Sequence, residues 1–334
     1  MRRLVTALVL LLPLAAAPRP PGGGEARGHL SPFVANFGPS LEADCFQPEG
    51  IAVDPHGFVY ASAFSFSPVA NVCILDPGGR VVGKIPVAAG PAGVVALLGM
   101  LFVPGEGLFV ADFADGGAHC GRLLRIDHRG DVHLVTDGFA APNAIAVDRR
   151  GNLYVSDSFD GTVTRVRPDG SGRTTWAADL ALTTKGSPPF GANGLAFDAR
   201  ERHLYVANTG DSNVLRIPVR HDGSAGAVQV WAHGADLDTR TGGSQSLHGA
   251  DGIQFDVEGN LWVCANQANE IQVLSPGGEL VARYRSSGAD ALDFPASLVF
   301  HGRALYLTNL SLGSGVNSKL SAMRAPVAGA PLVP

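Results

Sequence analysis

The sequence predicts an all-β fold: a six-bladed β-propeller with four antiparallel strands per blade, its ring closed by the N- and C-terminal strands. Three observations lead there. Hydrophobic residues make up 46% and charged residues only 16% of the 334, with 43 Gly and 23 Pro, a balance that suits short buried strands joined by tight turns. One phrase recurs six times, and a second, glycine-centred turn follows it in five of those copies.

Four strong copies open at Pro48 (PEGIAVDPHGFVYAS), Pro142 (PNAIAVDRRGNLYVSD), Gly191 (GANGLAFDARERHLYVAN) and Gly249 (GADGIQFDVEGNLWVCA). Two weaker ones, LLGMLFVPGEGLFVAD from Leu97 and FPASLVFHGRALYLTN from Phe294, keep the form and lose the opening polar residue. Each reads as a hairpin: an apolar strand, a turn rich in Asp, Pro and Gly, then a strand of aromatic and β-branched residues. Equivalent positions Glu49, Asn143, Asn193 and Asp251 lie 94, 50 and 58 residues apart. The first interval holds a weak copy, so the period is that of propeller blades. The second hairpins are CILDPGGRVVGKI, LLRIDHRGDVHLV, VTRVRPDGSGRTTWA, VLRIPVRHDGSAGAVQVWA and IQVLSPGGELVARY. Two hairpins per repeat make four strands, and no helix-period stretch competes with them. Only KLSAMRAPV follows the sixth copy, so its outer strand is expected from the N-terminal SPFVANF, which would close the ring and cover a sheet edge.

Residues 1–17 read as a signal peptide: Arg2 and Arg3, an apolar run from Leu4 to Ala17, and the small residues Ala15, Ala16 and Ala17 for cleavage. The apolar run is short for a membrane span, so a retained anchor is the lesser alternative and no transmembrane span is expected in the mature chain. Residues 18–28, PRPPGGGEARG, cannot pack a core and form a Pro/Gly linker, with the propeller over 29–334. The expected location is secreted or periplasmic. A net charge of −5 and the lack of any Lys/Arg run exclude nucleic acid as an expected partner. Cys45, Cys73, Cys120 and Cys264 allow three full pairings. Cys45 and Cys73 are closest in sequence, and Cys264 in LWVCA also reads as a small buried hydrophobe.

In a propeller the first strand of each blade lines the central channel, so its opening residues form a ring on one axis. Reading around it gives Glu49, Gly99, Asn143, Asn193, Asp251 and Ala296. Two carboxylates and two amide oxygens make a hard donor set suited to calcium, which takes roughly six to eight oxygens. Zinc and manganese are the other candidates. One such residue would be read as a strand-start cap; four at one repeat position point to a metal site. A second ring, Asp112, Asp157, Asn208 and Asn309, broken by Ala63 and Ala265, reads first as structural hydrogen bonding and second as a further ion site. His248, in the insertion DTRTGGSQSLHGAD before Asp251, is either a proton carrier over the ring or an ordinary loop histidine, and His119 in DGGAHCG is a weaker candidate. No G-x-S-x-G elbow, H-E-x-x-H, P-loop or dinucleotide fingerprint occurs.

On these residues the sequence resembles the regucalcin/gluconolactonase (senescence marker protein-30-like) family, with paraoxonase and diisopropyl fluorophosphatase as more distant relatives on the same six-bladed plan. The resemblance runs from about His29 to the C-terminus, where KLSAMRAPVAGAPLV is similar to the family's closing segment. It implies that Glu49 in PEG, Asn143 in PNA, Asn193 in ANG and Asp251 in ADG hold a catalytic divalent cation in the family's blade order. Sugar-lactonase relatives commonly carry an Arg shortly before the blade-three Asn and an Asp after it. This chain has Ala141-Pro142-Asn143-Ala144, which removes that sign of aldonolactone recognition and puts a more apolar lactone or ester on an equal footing.

Two functions follow. The first is a metal-dependent hydrolase of a small-molecule lactone or ester, in which metal-activated water attacks a polarised carbonyl at the hub and Asp251 or His248 takes the proton. The alternative is a non-catalytic, NHL-like binding propeller with a structural hub cation.

Overall fold

Six antiparallel four-stranded sheets account for the fold in the computed structural model, which describes residues 31–34, 45–117, 119–312 and 317–332. The expected signal peptide (1–17) and linker (18–28) lie outside the described residues. After β1 (Ser31–Val34), blade one holds β2 (Pro48–Val53), β3 (Val59–Ala63), β4 (Val69–Leu75) and β5 (Val81–Ala88). Blade two holds β6 (Leu97–Val103), β7 (Gly107–Asp112), β8 (Gly121–Ile126) and β9 (Val132–Phe139). Blade three follows with β10 (Pro142–Val147), β11 (Leu153–Asp157), β12 (Thr162–Val166) and β13 (Thr174–Ala178). In blade four are β14 (Ala192–Phe197), β15 (His203–Asn208), β16 (Asn213–Pro218) and β17 (Gln229–His233). A helix, α1 (Gly234–Thr241), leads into blade five: β18 (Ala250–Phe255), β19 (Leu261–Ala265), β20 (Glu270–Leu274) and β21 (Leu280–Tyr284). Blade six is β22 (Pro295–His301), β23 (Ala304–Asn309) and β24 (Lys319–Arg324), completed by β1, which pairs with β24 through Ser31 opposite Ala322 and Val34 opposite Leu320. The expected closure by the two ends of the chain is therefore present.

The inner strands touch in a closed circuit, β2 to β6, β10, β14, β18 and β22, and back to β2. The apolar residues fill the gaps between blades. Leu101, Phe109 and Leu123 of blade two pack on Ile145, Leu153 and Val155 of blade three, and Trp262 and Tyr284 of blade five on Leu298 and Phe300 of blade six. A disulfide joins Cys45 to Cys73 on β4, and neither Cys120 nor the buried Cys264 forms a disulfide among the described residues. Among the described residues no helix is long and apolar enough to cross a membrane.

The repeated phrase owes its Asp and its aromatic residue to one turn. Asp54, Asp148 and Asp256 each accept the amides two and four residues on, and their second oxygen takes the Tyr60 hydroxyl, the Tyr154 hydroxyl or the Trp262 Nε1 proton. These acids close the inner hairpins and lie at the strand ends remote from the ring residues. Across the same remote end runs the C-terminal segment, where Ala330 donates to the Phe255 carbonyl and accepts from Gln254 Nε2. A cavity of about 150 Å³ lies there, lined among others by Ile145, Leu195, Phe255 and Leu332.

Candidate functional site: the channel mouth

Every inner hairpin slips register at the same place, between Pro48 and Ile51, Leu97 and Met100, Pro142 and Ile145, Ala192 and Leu195, Ala250 and Ile253, and Pro295 and Leu298. A bulge of this kind re-aims the residue it contains, and the residues it contains include Glu49, Asn143, Asn193 and Asp251. The register also corrects one position. Leu97 pairs with Asp112 as Pro142 pairs with Asp157, so the blade-two member of the ring is the buried Leu98. Gly99 aligns instead with Gly50, Gly194 and Gly252, whose lack of a side chain lets neighbouring inner strands close up. A Cβ on Gly50 would stand 2.1 Å from the Leu98 carbonyl oxygen, and one on Gly194 2.3 Å from that of Asp251.

Just beyond the second ring lies a tier that the sequence reading passed over: Phe64, Phe113, Ser158, Thr209, Asn266 and Leu310. Each donates its backbone N–H to the carbonyl two residues before its blade's ring position, on Gln47, Ala96, Ala141, Gly191, Gly249 and Phe294. Three of the six hold ring side chains. Asn143 Nδ2 donates to Ser158 Oγ at 3.4 Å, Asn193 Nδ2 to Thr209 Oγ1 at 3.0 Å, and Asn266 Nδ2 to Asp251 Oδ2 at 2.8 Å. Ser158 and Thr209 in turn donate to the Ala192 and Ala250 carbonyls of the next blade, so the tier stitches the ring as well as orienting it. Aligning the repeats one residue further would have found these three positions.

With their amide nitrogens so engaged, Asn143 and Asn193 keep oxygens as their free ends. Glu49 and Asp251 are buried and feel each other's charge. Burial, and then the charge of Asp251, push the Glu49 carboxyl well above the usual carboxylate range. Burial likewise pushes Asp251 up to about 7, against hydrogen bonds from Asn266, Asn193 and the Gly252 amide that pull it down. Glu49 Oε2, Asp251 Oδ1 and Asn266 Oδ1 are buried acceptors with no donor. Buried oxygens rarely go unpaired, and a cluster rich in acceptors and short of donors is what a hard cation satisfies. Among the described residues no three His, Cys, Asp or Glu side chains form a metal cluster; the hub has two carboxylates and two amides, with Leu98 and Ala296 at the remaining ring positions.

The second ring is structural. Asp112 accepts from the Ala96 and Ala114 amides and from Arg122, Asp157 from four amides including Ala140 and Ala141, and Asn208 and Asn309 bond to neighbouring backbone. His248 is half-buried, with Nδ1 buried and unbonded, and burial holds it below the usual imidazole range against the pull of Asp238. No hydrogen bond joins it to Asp251 among the described residues. His119 is exposed and contacts Asp160 of the adjoining blade at 3.1 Å, a clasp on the rim.

Residues 176–311 match the family model of the SMP-30/Gluconolactonase/LRE-like region, a stretch that contains Asn193, Asp251, Thr209 and Asn266. The resemblance read from the ring residues is thus met independently. No curated protein matches the chain. Among solved structures, the fold is similar to that of a gluconolactonase from Xanthomonas campestris (18% identity, TM-score 0.60, covering 93% of this chain and 100% of that one). It is similar also to the calcium-binding protein regucalcin from Agrobacterium tumefaciens (16%, 0.62, 88% and 94%). An auxiliary nutrient binding protein from Bacteroides thetaiotaomicron shares the fold as well (10%, 0.64, 88% and 75%).

Proposed function

We propose that the hub binds a divalent cation, calcium foremost with zinc and manganese as the other candidates, and that the protein hydrolyses a small-molecule lactone or ester there. The observation that carries this reading is the set of buried, unpaired oxygens on Glu49, Asp251 and Asn266 beside the oxygen ends of Asn143 and Asn193. Glu49, Asn143, Asn193 and Asp251 would hold the ion. When bound, it supplies Lewis acidity toward a carbonyl oxygen.

The chain's own groups divide the remaining work. Ser158, Thr209 and Asn266 fix three of the four ring side chains, so the site is held in place before substrate arrives. Asp251 keeps Oδ1 free of any donor, which places its carboxylate to take a proton from water at the hub and pass it on. The water oxygen joins the carbonyl carbon, the carbon–oxygen bond to the alcohol breaks, and the proton ends on the leaving alcohol. His248, whose buried Nδ1 has no hydrogen-bond partner, is the second candidate proton carrier. The match to the SMP-30/Gluconolactonase/LRE-like model supports the hydrolase over a purely structural cation. Export through the N-terminal signal peptide belongs to the same proposal, and the Cys45–Cys73 disulfide is consistent with an oxidising compartment.

The test is calcium titration into chelator-treated protein, followed by a lactone and aryl-ester screen with calcium, manganese and zinc. We expect saturable binding that Glu49→Gln abolishes, and turnover that chelation removes and one of the metals restores. Binding without turnover on any substrate would leave the structural cation of a binding propeller; no binding would sink both readings.

A further inference from the structure

The channel mouth has two unlike halves. Over blades three to five the tier above the ring is Ser158, Thr209 and Asn266, all engaged with ring side chains. On the other side Phe64 and Phe113 occupy the same tier, and the ring position beneath Phe113 is Leu98. Loop residues extend this face into one aromatic wall. Ring centroids lie 5.2 Å apart for Phe64 and Phe66, 6.1 Å for Phe66 and Phe113, 5.6 Å for Phe113 and Phe159, and 5.3 Å for Phe159 and Phe190. Phe113 is the buried centre, packed against Gly116, where a Cβ would stand 2.3 Å from its ring. Phe66 and Phe159 remain 54% and 38% exposed. Phe190 is carried by the linker before blade four, whose Ser187 carbonyl is bonded by Gln267 of blade five, so the linker reaches across the rim.

Phe159 directly follows Ser158, the partner of Asn143, so the wall is continuous with the proposed site. A sugar lactone carries hydroxyls around its ring, and those turned toward the aromatic wall would lose water without gaining partners. A carbonyl compound with a hydrocarbon arm satisfies both halves. We propose that this wall binds the alkyl or aryl part of a lactone or ester whose carbonyl faces the half of the ring formed by Asn143, Asn193 and Asp251. The chemistry rests on the hydrolase reading above; the binding does not.

The experiment uses non-hydrolysable analogues: butyrolactams with alkyl tails of increasing length, and a gluconolactam, titrated calorimetrically into the calcium-supplemented protein. Affinity should rise by up to about fourfold per added methylene, and the gluconolactam should bind more weakly than the long-tailed lactams. In a Phe66→Ser/Phe159→Ser double variant, whose changes fall on exposed side chains, the dependence on tail length should flatten. Val230→Ser, on the exposed outer strand β17, should leave it intact. Tighter binding of the gluconolactam, or a length dependence that survives in the double variant, overturns the proposal. Wild-type protein that binds tails and turns over no lactone or ester sinks the hydrolase reading alone, and a hydrolase indifferent to tail length sinks this one alone.

Discussion

Asn266 orients one of the hub's two carboxylates. Its Nδ2 holds one oxygen of Asp251, while its own Oδ1 is buried without a donor. Gly249, with φ of +70°, presses so close that a Cβ there would stand 1.9 Å from Asn266 Oδ1. Partners that orient a ligating side chain typically contribute ten- to a hundredfold in metal affinity. Asn266→Ala should therefore weaken calcium binding by about 10–100-fold while the far-UV spectrum stays that of the wild type. Gly249→Ala should weaken it in the same direction, by displacing Asn266 and by straining a left-handed backbone. Unchanged affinity in both variants would show that Asp251 needs no second side chain to hold it.

Two devices recur at the scale of the element. The first is the close approach of neighbouring inner strands, which places the ring residues within reach of one another. In Gly194→Ala the new Cβ meets the Asp251 carbonyl oxygen at 2.3 Å, and backbone cannot step aside as a side chain would. We expect a loss of about 1–3 kcal/mol in denaturant unfolding. The second device is the Asp–Tyr turn. Burial, then the charge of Asp54 and its hydrogen bond, push the Tyr60 hydroxyl up to about 12, and Tyr154 is raised by burial and Asp148 in the same way. The folded protein thus holds these protons at pH values where the unfolded chain, with tyrosines near 10, has released them. The stability they contribute is complete below about pH 10 and is lost as the pH climbs toward 12. A phenolate absorbance titration should show a late-ionising fraction that Tyr60→Phe and Tyr154→Phe each reduce; tyrosines that all ionise near 10 would contradict the turn's electrostatics.

Across the whole molecule, stability depends on closing the circle. β1 is the outer strand of the blade whose other three strands end the chain, so residues about 290 positions apart in sequence share one sheet. Protein lacking residues 1–34 should expose the unpaired edge of β24, melt at lower temperature and associate on size-exclusion chromatography. A truncated protein that stays monomeric with unchanged melting would mean that the inner circuit from β2 to β22 suffices without the outer clasp.

The repeat was legible because a blade is a local object: the alternation, the Asp-x-x-Gly turns and the following aromatic residues all lie within one short stretch of chain. Counting turns therefore yielded six blades, and the unmatched sixth repeat pointed to SPFVANF as its missing strand. The residues Glu49, Asn143, Asn193 and Asp251 were legible for the same reason, since equivalent repeat positions must face one axis. What the sequence could not determine depends on a fraction of a turn of backbone or on neighbours from another blade. The bulge decided that Leu98, rather than Gly99, stands in the ring, because one residue of slip moves a side chain to the other face of a strand. Tertiary structure alone seated Ser158 and Thr209 on the Ala192 and Ala250 carbonyls of the next blade, left Glu49 Oε2 and Asp251 Oδ1 without donors, and gathered phenylalanines from the loops of three blades and the linker before the fourth into one wall. Those features arise where separate repeats meet, and the physics that couples them, burial and convergent charge, exists only once the ring has closed.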